Sequence, residues 1–286
     1  MKKRKIWAGL STAVLVAAPV ASQGAPLPAQ AQPGIEAKAD QSLLHLAQHQ
    51  GHAAPAAPAA TAGGEGEGEG GTAQLQPSLH LYRGIEMIRG HLLVGAELIE
   101  AGRWADAMPH FLHPEEEIYA SIRDQLKTYN VAPFQVALKA LSQTVKAKNK
   151  DAYTRARAAL DERLAAAETA VKAKEENGTY FVFETALEVL QQAADEYEEA
   201  IEKGRIVNVV EYQDARGFVL EVDRLLSTVM PAISAKNADA AKAVQASLND
   251  LKSIFPSVMP PKQPVKDIGP FLSDVSKIEL QLGSLR

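Results

Sequence analysis

From Pro77 onward the apolar residues of this chain recur at three- and four-residue spacing and nowhere alternate, which confines the fold to packed helices. Phe183, Leu187, Leu190, Ala194, Tyr197 and Ile201 form one such stripe, and Val244, Leu248, Leu251 and Phe255 form another. Ala, Leu, Glu and Lys, all good helix formers, dominate the region. Breaks at Gly102, Pro114, Pro133, Asn149, Asn177-Gly178, Gly204, Pro231 to Asn237 and Pro256 to Pro264 predict about eight or nine helices of ordinary length. A stretch of about 210 residues can bury a sizeable core. The expected fold class is all-α.

Two pairs of segments match internally. "AELIEAGR" at 96–103 aligns with "EEAIEKGR" at 198–205, and "AKNKDAYTRARAALDERL" from Ala147 aligns with "AKNADAAKAVQASLNDLK" from Ala235. A duplication would explain both pairs, giving two tandem four-helix-type bundles at residues 77–176 and 177–286.

The start of the chain reads as an export signal. Lys2, Lys3, Arg4 and Lys5 precede an apolar stretch too short to span a bilayer comfortably, with cleavage expected after Ser22 or Ala31. No cysteine follows that stretch, so no lipid anchor is expected, and no later run is apolar enough for a membrane helix. Residues 32–76 read as a disordered tail. It carries His45, His49 and His52, then an Ala, Pro and Gly tether with the tract "GGEGEGEGG", which cannot bury enough surface to offset its ordering entropy. The expected compartment is the periplasm.

Composition removes several classes of function. With no cysteine there is no disulfide and no thiolate ligand or nucleophile. Losing residues 1–31 removes four positive charges and no negative ones, taking the formal net charge from -5 to -9, a surface that repels nucleic acid. No nucleophile elbow or phosphate-cradling loop occurs, so the protein is not expected to be an enzyme. The charged segment "EYQDARGFVLEVDR" at 211–224, with Glu211, Asp214, Arg216, Glu221, Asp223 and Arg224, reads as a solvated helix face.

Chemistry concentrates in the histidines. All seven lie between positions 45 and 113, and the aligned partners of His91, His110, His113 and Glu117 are Ala193, Val210, Gln213 and Gly217. Residues that only filled a shared architecture would more often be matched in both copies. On a helix over 77–101, His80 and His91 stand about 16 Å apart along the axis and cannot share an ion. If the chain doubles back at Gly102-Arg103, His91 faces His113, Met87 faces Glu117, and His110 lies one turn nearer the loop. His91, His110, His113, Glu117 and Met87 are therefore the candidate ligands for iron, copper or zinc, or for haem.

The same letters admit a structural reading. Pro114 suits the first position of a helix, and Glu115, Glu116 and Glu117 suit its first turn, where the macrodipole favours negative charge.

An exported, duplicated, all-helical chain with a histidine on its first long helix resembles the imelysin-like periplasmic helical-bundle proteins linked with iron uptake. The likeness covers roughly residues 77–285. Where that family's motif has a glycine two before its histidine and a glutamate three after, this chain has Arg89 and Val94; Gly90 directly precedes His91 and Glu97 follows six later. The resemblance therefore implies a ligand role for His91 alone. Two expectations follow: a non-catalytic metal-binding protein of the periplasm, or a helical scaffold that binds an envelope protein without a metal.

Overall fold

The computed structural model describes residues 75–285. The export signal, the histidine-bearing tail and most of the acidic tether lie outside the described residues. Within them the protein is all-α apart from one minimal hairpin. Helix α1 (Pro77–Glu100) is followed by two short helices, α2 (Trp104–Ala107) and α3 (Pro109–His113). A π-helical turn over Pro114–Tyr119 then leads into α4 (Ala120–Ile122). Helices α5 (Gln135–Lys146) and α6 (Lys150–Lys172) complete the first half. The second half is α7 (Gly178–Ala200), strands β1 (Ile201–Glu202) and β2 (Arg205–Ile206), α8 (Val209–Lys236), α9 (Ala238–Ser253) and α10 (Ile268–Leu282).

Helices α7, α8, α9 and α10 each contact the next, and α10 returns to α7, closing a four-helix bundle. Helix α1 packs against α7 and α8 and also against α3, the π turn and α6. Its burial therefore runs nearly all round, from Leu79 to Ile99, the pattern of a helix enclosed by others. The charged residues and His91 inside this stretch carry partners, because an unpaired polar group out of water is costly. Arg83 donates to Gln192 Oε1 at 2.8 Å, Arg89 pairs with Glu168, Arg224 donates to Glu86, and His91 meets Asp214.

Sequence signals place most helix ends. Asn149, Asn177 and Asn237 each cap a helix by accepting from backbone N–H groups of its first turn. Pro231 does not end a helix as the sequence pattern predicts. Helix α8 runs through it to Lys236, and the Ser227 and Thr228 hydroxyls donate to the carbonyls of Arg224 and Leu225 in the preceding turns. Its exposed position leaves room for the ring.

The matched segments occupy related places but do not build related turns. Gly102, φ 75°, ends α1 with Arg103 N–H donating to Leu98 O and Gly102 N–H to Ile99 O, a left-handed helix cap. Gly204, φ 71°, instead follows Lys203, φ 52°, in the tight turn between β1 and β2. Beyond these turns α8 is one long helix where the first half is broken into α2 to α5. Among the described residues the fold shows one four-helix bundle, α7 to α10, and a tandem pair is not seen.

Candidate metal centre

Two close helix crossings assemble the site. Gly90 on α1 and Gly217 on α8 touch backbone to backbone, and a Cβ on Gly217 would meet the Gly90 carbonyl oxygen. A larger residue at either position would push α8 away from α1. One turn along α1, a Cβ on Gly95 would lie 2.6 Å from the Phe111 ring and 3.3 Å from His110 Cβ, so this glycine lets α3 settle onto α1. The segments just beside these contacts carry His91, His110 and Asp214.

His91 and His110 are buried, and His113 is partly exposed. Their ring centroids are 6.3 Å apart for His91 and His110, 5.6 Å for His91 and His113, and 6.5 Å for His110 and His113. All three turn Nδ1 toward one carboxylate, Asp214. His91 Nδ1 and His110 Nδ1 each lie 2.7 Å from Asp214 Oδ1, and His113 Nδ1 lies 3.4 Å from Oδ2. One ligand atom each from His91, His113 and Asp214 can be chosen so that all lie within 4.8 Å of one another, a spacing one metal ion can bridge.

The segment 211–224 is thus not the solvated face that its letters suggest. Asp214 and Glu221 are each 1% exposed, because α8 turns them toward α1. Glu117 stands at the rim, its Oε1 3.9 Å from His113 Nε2, and is exposed. Met87 packs in the apolar core, and His80 accepts from Gln125 Nε2 at 3.0 Å away from the three-histidine group.

Gln213 fixes the state of His110. Its Nε2 donates to Val258 O at 3.1 Å, so its Oε1 is the atom facing His110 Nε2 at 2.9 Å and must accept from it. A neutral His110 then presents the Nδ1 lone pair to Asp214 Oδ1. A 2.7 Å contact between two such acceptors needs a proton between them, since a metal ion bound by both would hold them further apart.

Electrostatics around the site are divided. Burial alone would raise the Asp214 carboxyl, but the charges of His91 and His110 and hydrogen bonds from His110 and His113 hold it well below the usual range. Burial depresses His91 despite Asp214. His113 is raised, burial being outweighed by its hydrogen bond and charge interaction with Asp214 and by Glu117 and Glu211. Burial, assisted by Asp214 and Glu211 and opposed by His113, brings Glu117 up to about 7. Beside this lies a more open acidic group, Glu196, Glu199 and Glu211, in which burial and a hydrogen bond with Glu211 bring Glu196 up to about 10.

Three histidines gathered on one buried carboxylate where a helical bundle meets an added helix, with His91, His113 and Asp214 spaced to hold an ion, define a helical protein with a candidate metal site. Residues 172–285 match the family described as the iron permease-associated 4-helix bundle domain, a span that includes all four bundle helices and Asp214 but none of the three histidines. That description links the matched bundle with iron permeases, and through them suggests an iron-uptake context. No curated protein matches the chain, and no solved structure does. Among the described residues no helix is long and apolar enough to cross a membrane.

Proposed function

We propose that the protein is an exported, non-catalytic carrier or sensor of a divalent transition metal, held between α1, α3 and α8 by His91, His110, His113 and Asp214. The observation that carries this reading is the convergence of three imidazole Nδ1 atoms on one buried carboxylate. An ionised aspartate can accept three hydrogen bonds in any buried network, so what favours a metal is that all three partners are imidazole nitrogens, the donors of a nitrogen-rich metal site. Imidazole and carboxylate suit ferrous iron, zinc and cupric copper. The matched bundle domain and the imelysin-like resemblance carried by His91 both favour iron. Rings centred 5.6 to 6.5 Å apart around one carboxylate suit a single ion better than a porphyrin plane. Glu199 and Glu211 beside the site, with the ionised fraction of Glu117 at the rim, supply negative potential for drawing a cation inward.

Calorimetric titration of the full chain with ferrous, zinc and cupric ions tests the assignment. Wild type is expected to bind one tight equivalent that a His91→Ala, His113→Ala double variant, or Asp214→Asn, loses by at least about 100-fold, more than typical losses for supporting residues. An equivalent of unchanged affinity in both variants sinks the reading.

A further inference from the structure

On the far side of the Gly90–Gly217 crossing a second pair of acidic residues meets across the same two helices. We propose that Glu86 and Glu221 form a second cation site, suited to a hard, oxygen-seeking divalent or trivalent metal ion, and that Arg224 is the displaceable cation that closes it. This inference stands apart from the histidine site.

The two carboxylates are each 1% exposed at the side chain, while the Arg224 side chain is 43% exposed. Arg224 Nη2 donates to Glu86 Oε2 at 3.0 Å, and its Nε donates to Glu221 Oε1 at 2.7 Å. The arginine therefore reaches in from the surface to neutralise two groups that cannot reach water themselves. It leaves the pair incompletely served: Glu86 Oε1 and the Tyr82 hydroxyl are both sealed from solvent without a hydrogen-bond partner. Tyr82 is fully buried, and Glu86 is the charged group that acts on it most strongly.

Glu168, held by Arg89 and acting on both Tyr82 and Glu86, brings a third carboxylate to the cluster, and Lys172 lies over the Tyr82 ring. When Arg224 swings outward, the two carboxylates and the neighbouring phenol oxygen are left without their cation. All the donors are oxygens, which selects hard cations and contrasts with the imidazole-rich group one and a half turns along α1. Glu86 and His91 are five residues apart, about 7.5 Å of helix rise, so one ion cannot serve both.

Terbium(III) luminescence on the full chain, excited through tyrosine, is the test. An Arg224→Gln variant is expected to melt lower in chelator, to recover with terbium, and to bind one equivalent at least about tenfold tighter than wild type, the effect of about one unit of competing charge. Adding Glu221→Gln should remove that equivalent, adding Tyr82→Phe should quench its sensitised emission, and a His91→Ala, His113→Ala background should leave it intact. The proposal is overturned if Arg224→Gln gains no equivalent, if the gained equivalent survives Glu221→Gln, or if Arg224→Gln loses its helical circular dichroism even with terbium, which would make Arg224 a structural strut.

Discussion

Gly90 of α1 and Gly217 of α8 pack backbone against backbone, with no room for a side-chain carbon on Gly217 beside the Gly90 carbonyl. This contact sets the separation of the two helices that carry His91 and Asp214. Gly217→Ala should force the crossing apart, costing about 1–3 kcal/mol as overpacking does. It should also lengthen the His91–Asp214 contact enough to abolish tight metal binding. Chemical denaturation and metal titration on the same variant measure both, and unchanged binding would show that the crossing does not position the site.

Gln213 acts on the site through His110. Gln213→Leu removes the acceptor that holds the His110 Nε2 proton and strands Val258 O, costing about 1–3 kcal/mol. Metal affinity should drop about 10- to 100-fold, the range seen when a partner behind a ligand is lost. Gln213→Glu keeps an acceptor and should retain more affinity than the leucine variant. Equal affinities in the two would discard the tautomer argument.

Glu196 gives a pH signature. Its folded-state value is raised to about 10, chiefly by burial and then by the hydrogen bond with Glu211, so the native protein keeps a proton that the unfolded chain releases above about 4.5. Its contribution to stability is therefore fully present below the unfolded value and declines as pH rises toward 10. Glu196→Gln should flatten this decline and raise Tm at pH 8 by roughly 2–4 °C, the effect of about 1 kcal/mol in a domain of this size. Thermal melts of both proteins at pH 5 and pH 8 should differ most at the higher pH; an equal difference at both would point to another group.

The helix caps rank by the bonds they make. Asn237 accepts from both Asp239 N–H and Ala240 N–H, whereas Asn149 accepts from Ala152 N–H alone. Asn237→Ala should cost about 1 kcal/mol and Asn149→Ala less. Denaturant midpoints read the order directly, and a reversed order would mean that packing near α6 outweighs the capping bonds.

Some of the site was visible in the letters. The confinement of histidines to the first part of the chain and the turn at Gly102 bring His91, His110 and His113 into consideration together, because helix pitch and a reversal are local properties. Asp214 was obscured by its charged neighbours. Asp214, Phe218, Glu221 and Leu225 share one stripe, so two acids ride an otherwise apolar face. Helical spacing identifies that stripe but not the helix opposite it, since α8 could equally have turned the acids toward solvent. Pro231 misled for a related reason, as one missing donor on an exposed face is tolerated within a long helix packed on its other sides.

By itself the sequence determined the helical class, the Asn caps and the left-handed glycine turns at Gly102 and Gly204, since each follows from backbone sterics and spacing within a few residues. Tertiary structure alone decided that Asp214 meets three imidazoles from the other half of the chain, that Glu86 meets Glu221, and that the second half closes as a four-helix bundle while the first does not. Those pairings join residues more than a hundred positions apart, and they depend on which glycines let two helices touch, a relation that no local pattern encodes.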